Sequence, residues 1–166
     1  MADLYTVDRL WPDPQSGLDL DEAFRDLALP DPPNHRRVLI ATNMVTTIDG
    51  RAQRMGTAEG LSGRADRRLM RLYRLGFDAV GSGIGSLLLD GGPTTNAAFL
   101  AAGCLDELYW TVGARVLATE ALPMLTPIRG GSPFADAPRE ATLISAHRFE
   151  SELFLRYRFE PASVDG

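Results

Sequence analysis

Apolar and polar positions change period several times along this chain, and each change marks an expected element. Residues 1–36 carry little regular signal and read as an N-terminal extension. Within them, Leu18 to Leu29 has the spacing of one short helix, which Pro30, Pro32 and Pro33 would stop. Arg37 to Val45 is apolar on both faces in its first half, as in a central strand covered on both sides, and Ile48-Asp49-Gly50 ends it as a turn. After a polar loop over 51–61, Ser62 stands as an N-cap for a helix from Gly63 to Leu75, with Gly76 at its end. Ala65, Leu69, Leu72 and Tyr73 form its inward stripe. Arg64, Arg67, Arg68, Arg71 and Arg74 share the other side, either as a solvated face or as an anion-attracting wall.

Phe77 to Val80 reads as the start of a strand, and Ser86 to Asp90 as a second, apolar one. Thr94 to Gly103 follows as a helix of small and apolar residues. Asp106–Val112 and Ala114–Ala118 read as strands with Gly113 as a kink, and 119–139 as mainly loop. Alternation over Thr142–His147 and again over Leu153–Phe159 predicts a closing antiparallel hairpin. The fold class is therefore α/β with a mixed sheet and flanking helices.

Composition narrows the function. At 166 residues, with 45% apolar and 23% charged residues, the chain fits one globular domain. A net charge of −5 argues against a nucleic-acid surface over the whole molecule. No apolar run approaches the ~18 residues of a membrane span, and the polar N-terminus shows no signal peptide, so the expected location is cytoplasmic. The single cysteine, Cys104, fits a reducing compartment and reads as a packed core thiol. His35 and His147 lie outside any ligand spacing and read as surface residues, so no metal site is expected. A Gly-x-Ser-x-Gly nucleophile elbow is absent.

The strongest chemical feature is a strand ending at Asp90, then Gly91-Gly92-Pro93-Thr94, then a helix. Glycines let backbone approach a ligand, and Pro near the first helical position wastes no amide. The free N–H groups and the positive dipole end then suit a phosphate or pyrophosphate. A plain strand-to-helix turn would look the same.

Several segments together resemble the reductase domain of bacterial riboflavin biosynthesis, the 5-amino-6-(5-phosphoribosylamino)uracil reductase of the dihydrofolate-reductase-like family. They are Thr47-Ile48-Asp49-Gly50-Arg51-Ala52, Leu61 to Arg68 with Leu72-Tyr73-Arg74, Ser86 to Asn96, Leu105 to Tyr109, and Leu153 to Tyr157. They fall in the family's order over most of residues 37–160, and 37–166 is read as the reductase-like domain. The resemblance implies a dihydrofolate-reductase-like fold, a homodimer through the sheet and its C-terminal strands, NADPH as hydride donor and a phosphoribosylamino-pyrimidine as small-molecule substrate. It gives Val45, Gly91, Gly92, Pro93, Thr94, Thr95 and Asn96 to the cofactor, and Asp90 and Arg74 to the substrate. Asp90 stands where the family has Glu. No catalytic residue follows from it.

One departure is large. In the family the strand at 77–80 runs into a further turn and a long middle segment; here Gly81-Ser82 leads at once to Gly83-Ile84-Gly85-Ser86. Parallel strands need a crossover of roughly a dozen residues, so 81–85 cannot join two of them. Either the first strand is frayed, or the second pairs elsewhere, or residues are missing; the reading taken is a deletion, natural or engineered. Such a loss implies weak cofactor binding with slow turnover, or a catalytically silent or minimised scaffold that keeps the fold, the dimer and weak phosphate binding.

Overall fold

The computed structural model describes residues 5–25, 38–77, 85–126 and 138–160. Its elements in chain order are β1 (Thr6–Trp11), β2 (Gln15–Asp19), α1 (Leu20–Arg25), β3 (Leu39–Thr47), α2 (Arg64–Gly76), β4 (Ser86–Leu89), α3 (Pro93–Ala101), β5 (Glu107–Gly113), β6 (Ala141–Phe149) and β7 (Glu152–Phe159). The strands form one mixed seven-stranded sheet in the order β2-β1-β6-β7-β5-β3-β4. β4 and β5 run parallel to β3 on either side of it, and the other pairs are antiparallel.

The parallel trio fixes where the helices lie. β3 connects through α2 to its neighbour β4, and β4 then returns through α3 across β3 to β5. Right-handed crossovers that move in opposite directions along a sheet must cover opposite faces. The contacts agree: Leu69 and Tyr73 of α2 pack with Leu39 and Ala41, whereas Asn96 of α3 reaches Met44 on the other face. β3 is accordingly buried on both sides, as its apolar first half predicts. The larger core lies under α1 and α2, around Leu39, Leu69, Tyr73, Tyr109 and Phe154. Leu69 is 1% exposed, and its truncation to Ala would cost about 2–5 kcal/mol.

The N-terminal region differs from its expectation. Thr6–Trp11 and Gln15–Asp19 form an antiparallel pair, and the first of them joins the sheet beside β6. The strands are short and half-exposed, so their alternation is faint, and Leu18 belongs to β2 rather than to a helix. The helix that follows is described only over Leu20–Arg25. The expected strand Ala114–Ala118 is irregular instead. There the Asp49 carboxylate accepts the amides of Leu117 (3.3 Å) and Ala118 (2.9 Å), and Ala118 has φ +47°. Side-chain capture of amides competes with a ladder.

Ser62 does not cap α2. Gly63 is the N-cap, its amide donates to Glu152 Oε1 at 2.6 Å, and the Ser62 hydroxyl donates to Asp66 Oδ2 at 2.6 Å. Phe77 is buried just after the helix; residues 78–80 of the expected strand, 81–84 of the expected junction, and His35 lie outside the described residues. Parallel β3 and β4 are connected through α2. Cys104 is half-buried rather than a core thiol. Among the described residues no helix is long and apolar enough to cross a membrane, and no group of three His, Cys, Asp or Glu side chains could hold a metal ion.

Candidate functional site

A cleft of about 510 Å³ opens beyond the C-terminal ends of β3 and β4, between α2 and the start of α3. Ligands of open α/β sheets bind in such crevices, where the crossovers diverge to opposite faces, and the volume lies within the usual range of about 300–1,000 Å³. Asn43, Met44 and Val45 form its floor. Ser62, Asp66, Arg67 and Met70 come from α2 and the residues before it, Asp90 to Pro93 close the opposite side, and Ala58 to Gly60 form part of the rim.

The turn after β4 is shaped by its neighbours. A Cβ on Gly91 would meet Thr95 Cβ at 2.8 Å, so that position has no room for a side chain. A Cβ on Gly92 would meet nothing within 4 Å, which leaves the backbone there open to a ligand. Gly92 is the N-cap of α3 and Pro93 begins it; no side chain caps this end. The Thr94 and Thr95 amides therefore stand at the positive end of the helix dipole. Asn96 is fully buried, and its Nδ2 donates to Met44 Sδ at 2.8 Å and the Gly91 carbonyl at 3.3 Å. It ties helix, strand and turn together.

Val45, Asp90, Gly91, Gly92 and Pro93 thus share the cleft, whereas Thr94 and Thr95 are exposed beside it and Asn96 lies beneath. Arg74 lies outside the lining and is ion-paired with Asp90 across an exposed surface. Among the described residues, the charged side chains of the cleft are Glu59, Asp66, Asp90 and Arg67, so carboxylates outnumber cations there. Four of the five α2 arginines, Arg64, Arg68, Arg71 and Arg74, are exposed away from it.

The polar groups of the floor and wall were not singled out in the sequence. Asn43 is 8% exposed; its amide donates to Met70 Sδ, and its Oδ1 is buried without a hydrogen-bond partner among the described residues. Asp66 is 6% exposed and holds the Ser62 hydroxyl. The signals were present: an Asn inside an apolar strand, and Ser62, Asp66, Met70 and Tyr73 at helical spacing on the inward side.

The Thr47–Ala52 segment supports the floor. Thr47 Oγ1 donates to Asp49 Oδ1 at 2.6 Å and accepts the Arg51 amide at 3.0 Å, while Gly50 takes φ +75°. That hydroxyl, with the Leu117 and Ala118 amides, holds the Asp49 carboxyl down to about 2 despite its partial desolvation. The turn delivers Ala52 and Gln53 to the cleft.

A mixed seven-stranded sheet with few helices matches the fold of solved pyrimidine reductase-like structures. Among solved structures, the chain is similar to a pyrimidine reductase-like protein from Corynebacterium diphtheriae, with a TM-score of 0.61 and 13% identity over 82% of this chain and 98% of that one. It is similar also to RibD of Acinetobacter baumannii, with a TM-score of 0.56 and 14% identity over 75% of this chain and 58% of that one. A third is the diaminohydroxyphosphoribosylaminopyrimidine deaminase/5-amino-6-(5-phosphoribosylamino)uracil reductase of Thermotoga maritima, with a TM-score of 0.52 and 12% identity over 76% of this chain and 58% of that one. At such identities the likeness establishes the fold. No family model and no curated protein sequence matches the chain.

Proposed function

We propose that the cleft binds NADPH and that the protein is a reductase of a small phosphoribosylamino-pyrimidine, working in the cytoplasm. The observation that carries this reading is the uncapped start of α3, opening on the cleft beside a Gly92 whose missing side chain faces empty space. The Thr94 and Thr95 amides would receive a cofactor phosphate there, as helix N-termini do. When bound, the cofactor supplies the hydride; the protein binds, orients and excludes water. Val45 would lie against the cofactor, and Asn43 Oδ1 is an acceptor in want of a ligand N–H. Asp66, with the Ser62 hydroxyl, offers a second polar contact on the wall.

A second reading, a catalytically silent scaffold, is favoured by a specific pair. Arg74, the residue that the resemblance gives to the substrate's phosphate, is spent on Asp90. The surplus of carboxylates in the cleft also works against a polyanion. NADPH fluorescence titration of the purified chain tests the site, and oxidation of NADPH with the ribosylamino-pyrimidine tests the chemistry. Saturable binding with turnover of about 1 per second or faster supports the reductase. Binding without turnover supports the scaffold, and no binding refutes both.

The same reading carries a homodimer through the sheet. Trp110, Tyr157 and Phe159 pack only partly buried around Leu108 on the α3 side, an apolar surface that a second copy would cover. Sedimentation showing a monomer at tens of micromolar would remove this part.

A further inference from the structure

A second cavity, of about 300 Å³, lies at the other end of α2, between α1 and the antiparallel half of the sheet. Its walls are the rings of Phe24, Tyr73, Tyr109 and Phe154. Ser145 and His147 of β6 form one side of it, and Arg9 and Arg156 border it. None of its lining residues lines the first cleft.

His147, expected from the sequence at the surface, is 5% exposed, because its position in β6 faces the core and Phe24 covers its ring at 4.5 Å. Its Nδ1 is buried without a hydrogen-bond partner among the described residues. Buried polar atoms almost always have a partner, so a bare imidazole nitrogen on a side chain that lines a cavity marks a place for one.

The charges point to an anion. Among the described residues, no Asp or Glu lines the cavity. Behind it, the Glu107 carboxylate is held by Arg156 at 2.8 Å and by Arg158 at 2.8 Å. Arg9 adds a third cation, and its hydrogen bonds among the described residues go to neutral groups, the Asp13 carbonyl at 2.7 Å and Gln15 Oε1 at 3.1 Å. Burial raises the titration of both Tyr73 and Tyr109, so their phenols stay neutral. Burial first, and the charge of Arg9 second, lower His147 to about 4, which leaves it neutral as well.

We propose that this cavity is a second small-molecule site, taking a monocyclic hydroxyaromatic carboxylate. The ring lies among the four aromatic side chains, where stacked or edge contacts add to burial. The carboxylate meets Arg9 at the border of the cavity. The hydroxyl meets His147 Nδ1, and because a hydroxyl both donates and accepts, it satisfies either tautomer. The volume sits at the small end of ligand pockets, about 300–1,000 Å³, which suits one ring and excludes a dinucleotide.

The test is titration of the full chain with para-hydroxybenzoate, followed by nitrogen–proton correlation of the histidine side chains, with His35 as internal control. Benzoate and phenol are run beside it. The expected result is a saturable shift at His147 with a dissociation constant of about 1 mM or tighter, weakened about tenfold for each partial ligand and for Arg9→Ala. Arg9 is on a half-exposed strand, so this variant keeps the test valid where His147→Gln fails to fold. No shift at His147 up to about 10 mM, phenol binding as well as para-hydroxybenzoate, unchanged affinity in Arg9→Ala, or displacement by NADPH would each overturn the proposal.

Discussion

The Leu61 carbonyl oxygen occupies the space in which a side chain on Gly113 would begin: a Cβ there would lie 1.9 Å away. Gly113 ends β5 and Leu61 closes the loop that carries Ala58 to Gly60 along the cleft, so this contact presses the rim against the sheet. The Arg115 guanidinium adds a hydrogen bond to the same carbonyl at 3.0 Å. Gly113→Ala is expected to force backbone apart and cost about 1–3 kcal/mol or more, as overpacking does. Urea denaturation measures it; an unchanged midpoint would mean that the rim is free to move.

Gly92→Val separates ligand binding from stability. The new side chain would meet no protein atom near its Cβ and would project at the start of α3. Saturable NADPH or phosphate binding should fall at least tenfold, about 1.4 kcal/mol, with stability lowered by no more than the roughly 0.5–2 kcal/mol that an apolar N-cap costs. Equal affinity in the variant would move the phosphate site elsewhere.

Glu107 is fully buried and accepts from Tyr109 Oη at 3.0 Å as well as from the two arginines. Removing it takes the carboxylate away from the 11%-exposed Arg156 side chain, so Glu107→Ala is expected to cost about 3–5 kcal/mol in urea unfolding. Arg158 is 41% exposed and leaves Arg156 in place, so Arg158→Ala should cost about 1 kcal/mol or less. Equal losses in the two variants would contradict this ranking.

Stability should depend on pH through His147. The unfolded chain restores its ordinary value of 6.5, whereas burial and Arg9 hold the folded chain at about 4. Above 6.5 neither state takes the proton and the folded state keeps its full advantage. Between 6.5 and 4 only the unfolded chain is protonated, so stability falls with pH, by at most about 3 kcal/mol at 1.36 kcal/mol per unit. Glu152 acts in the opposite sense, because burial raises its carboxyl and acid relieves that cost. Urea midpoints at several pH values, compared with those of His147→Gln, isolate the histidine; equal slopes would show that it titrates normally.

The parts of the fold that were legible in the sequence are those in which one physical effect dominates. The apolar strand at Leu39, the helix with an inward stripe of Ala65, Leu69 and Tyr73, the Gly-Gly-Pro turn and the closing hairpin each follow from burial or turn chemistry. β1 was illegible because β6, distant in sequence, and not its own pattern holds it in the sheet, and β2, paired only with β1, is short and half-exposed. Ala114–Ala118 was misread because the capture of its amides by Asp49, 68 residues before Leu117, leaves no local trace. In the cleft, the backbone features at Gly91 to Pro93 were readable, but Asn43 and Asp66 were passed over as parts of a strand and a helix face. His147 shows the same limit: alternation gave its strand, while its burial depends on Phe24, far away in the sequence.

The Glu107 cluster also acts as an alignment key for the last strand. Glu107 stands opposite Arg158, and Tyr109 opposite Arg156, across the β5–β7 ladder. A slip of one residue would turn both guanidinium groups to the other side of the sheet. Misregistered pairings therefore carry a buried, under-neutralised charge, while the native one does not. A chain whose final hairpin must find its place against a strand formed some forty residues earlier thus carries its own check on mispairing, written in one acidic residue and two basic ones.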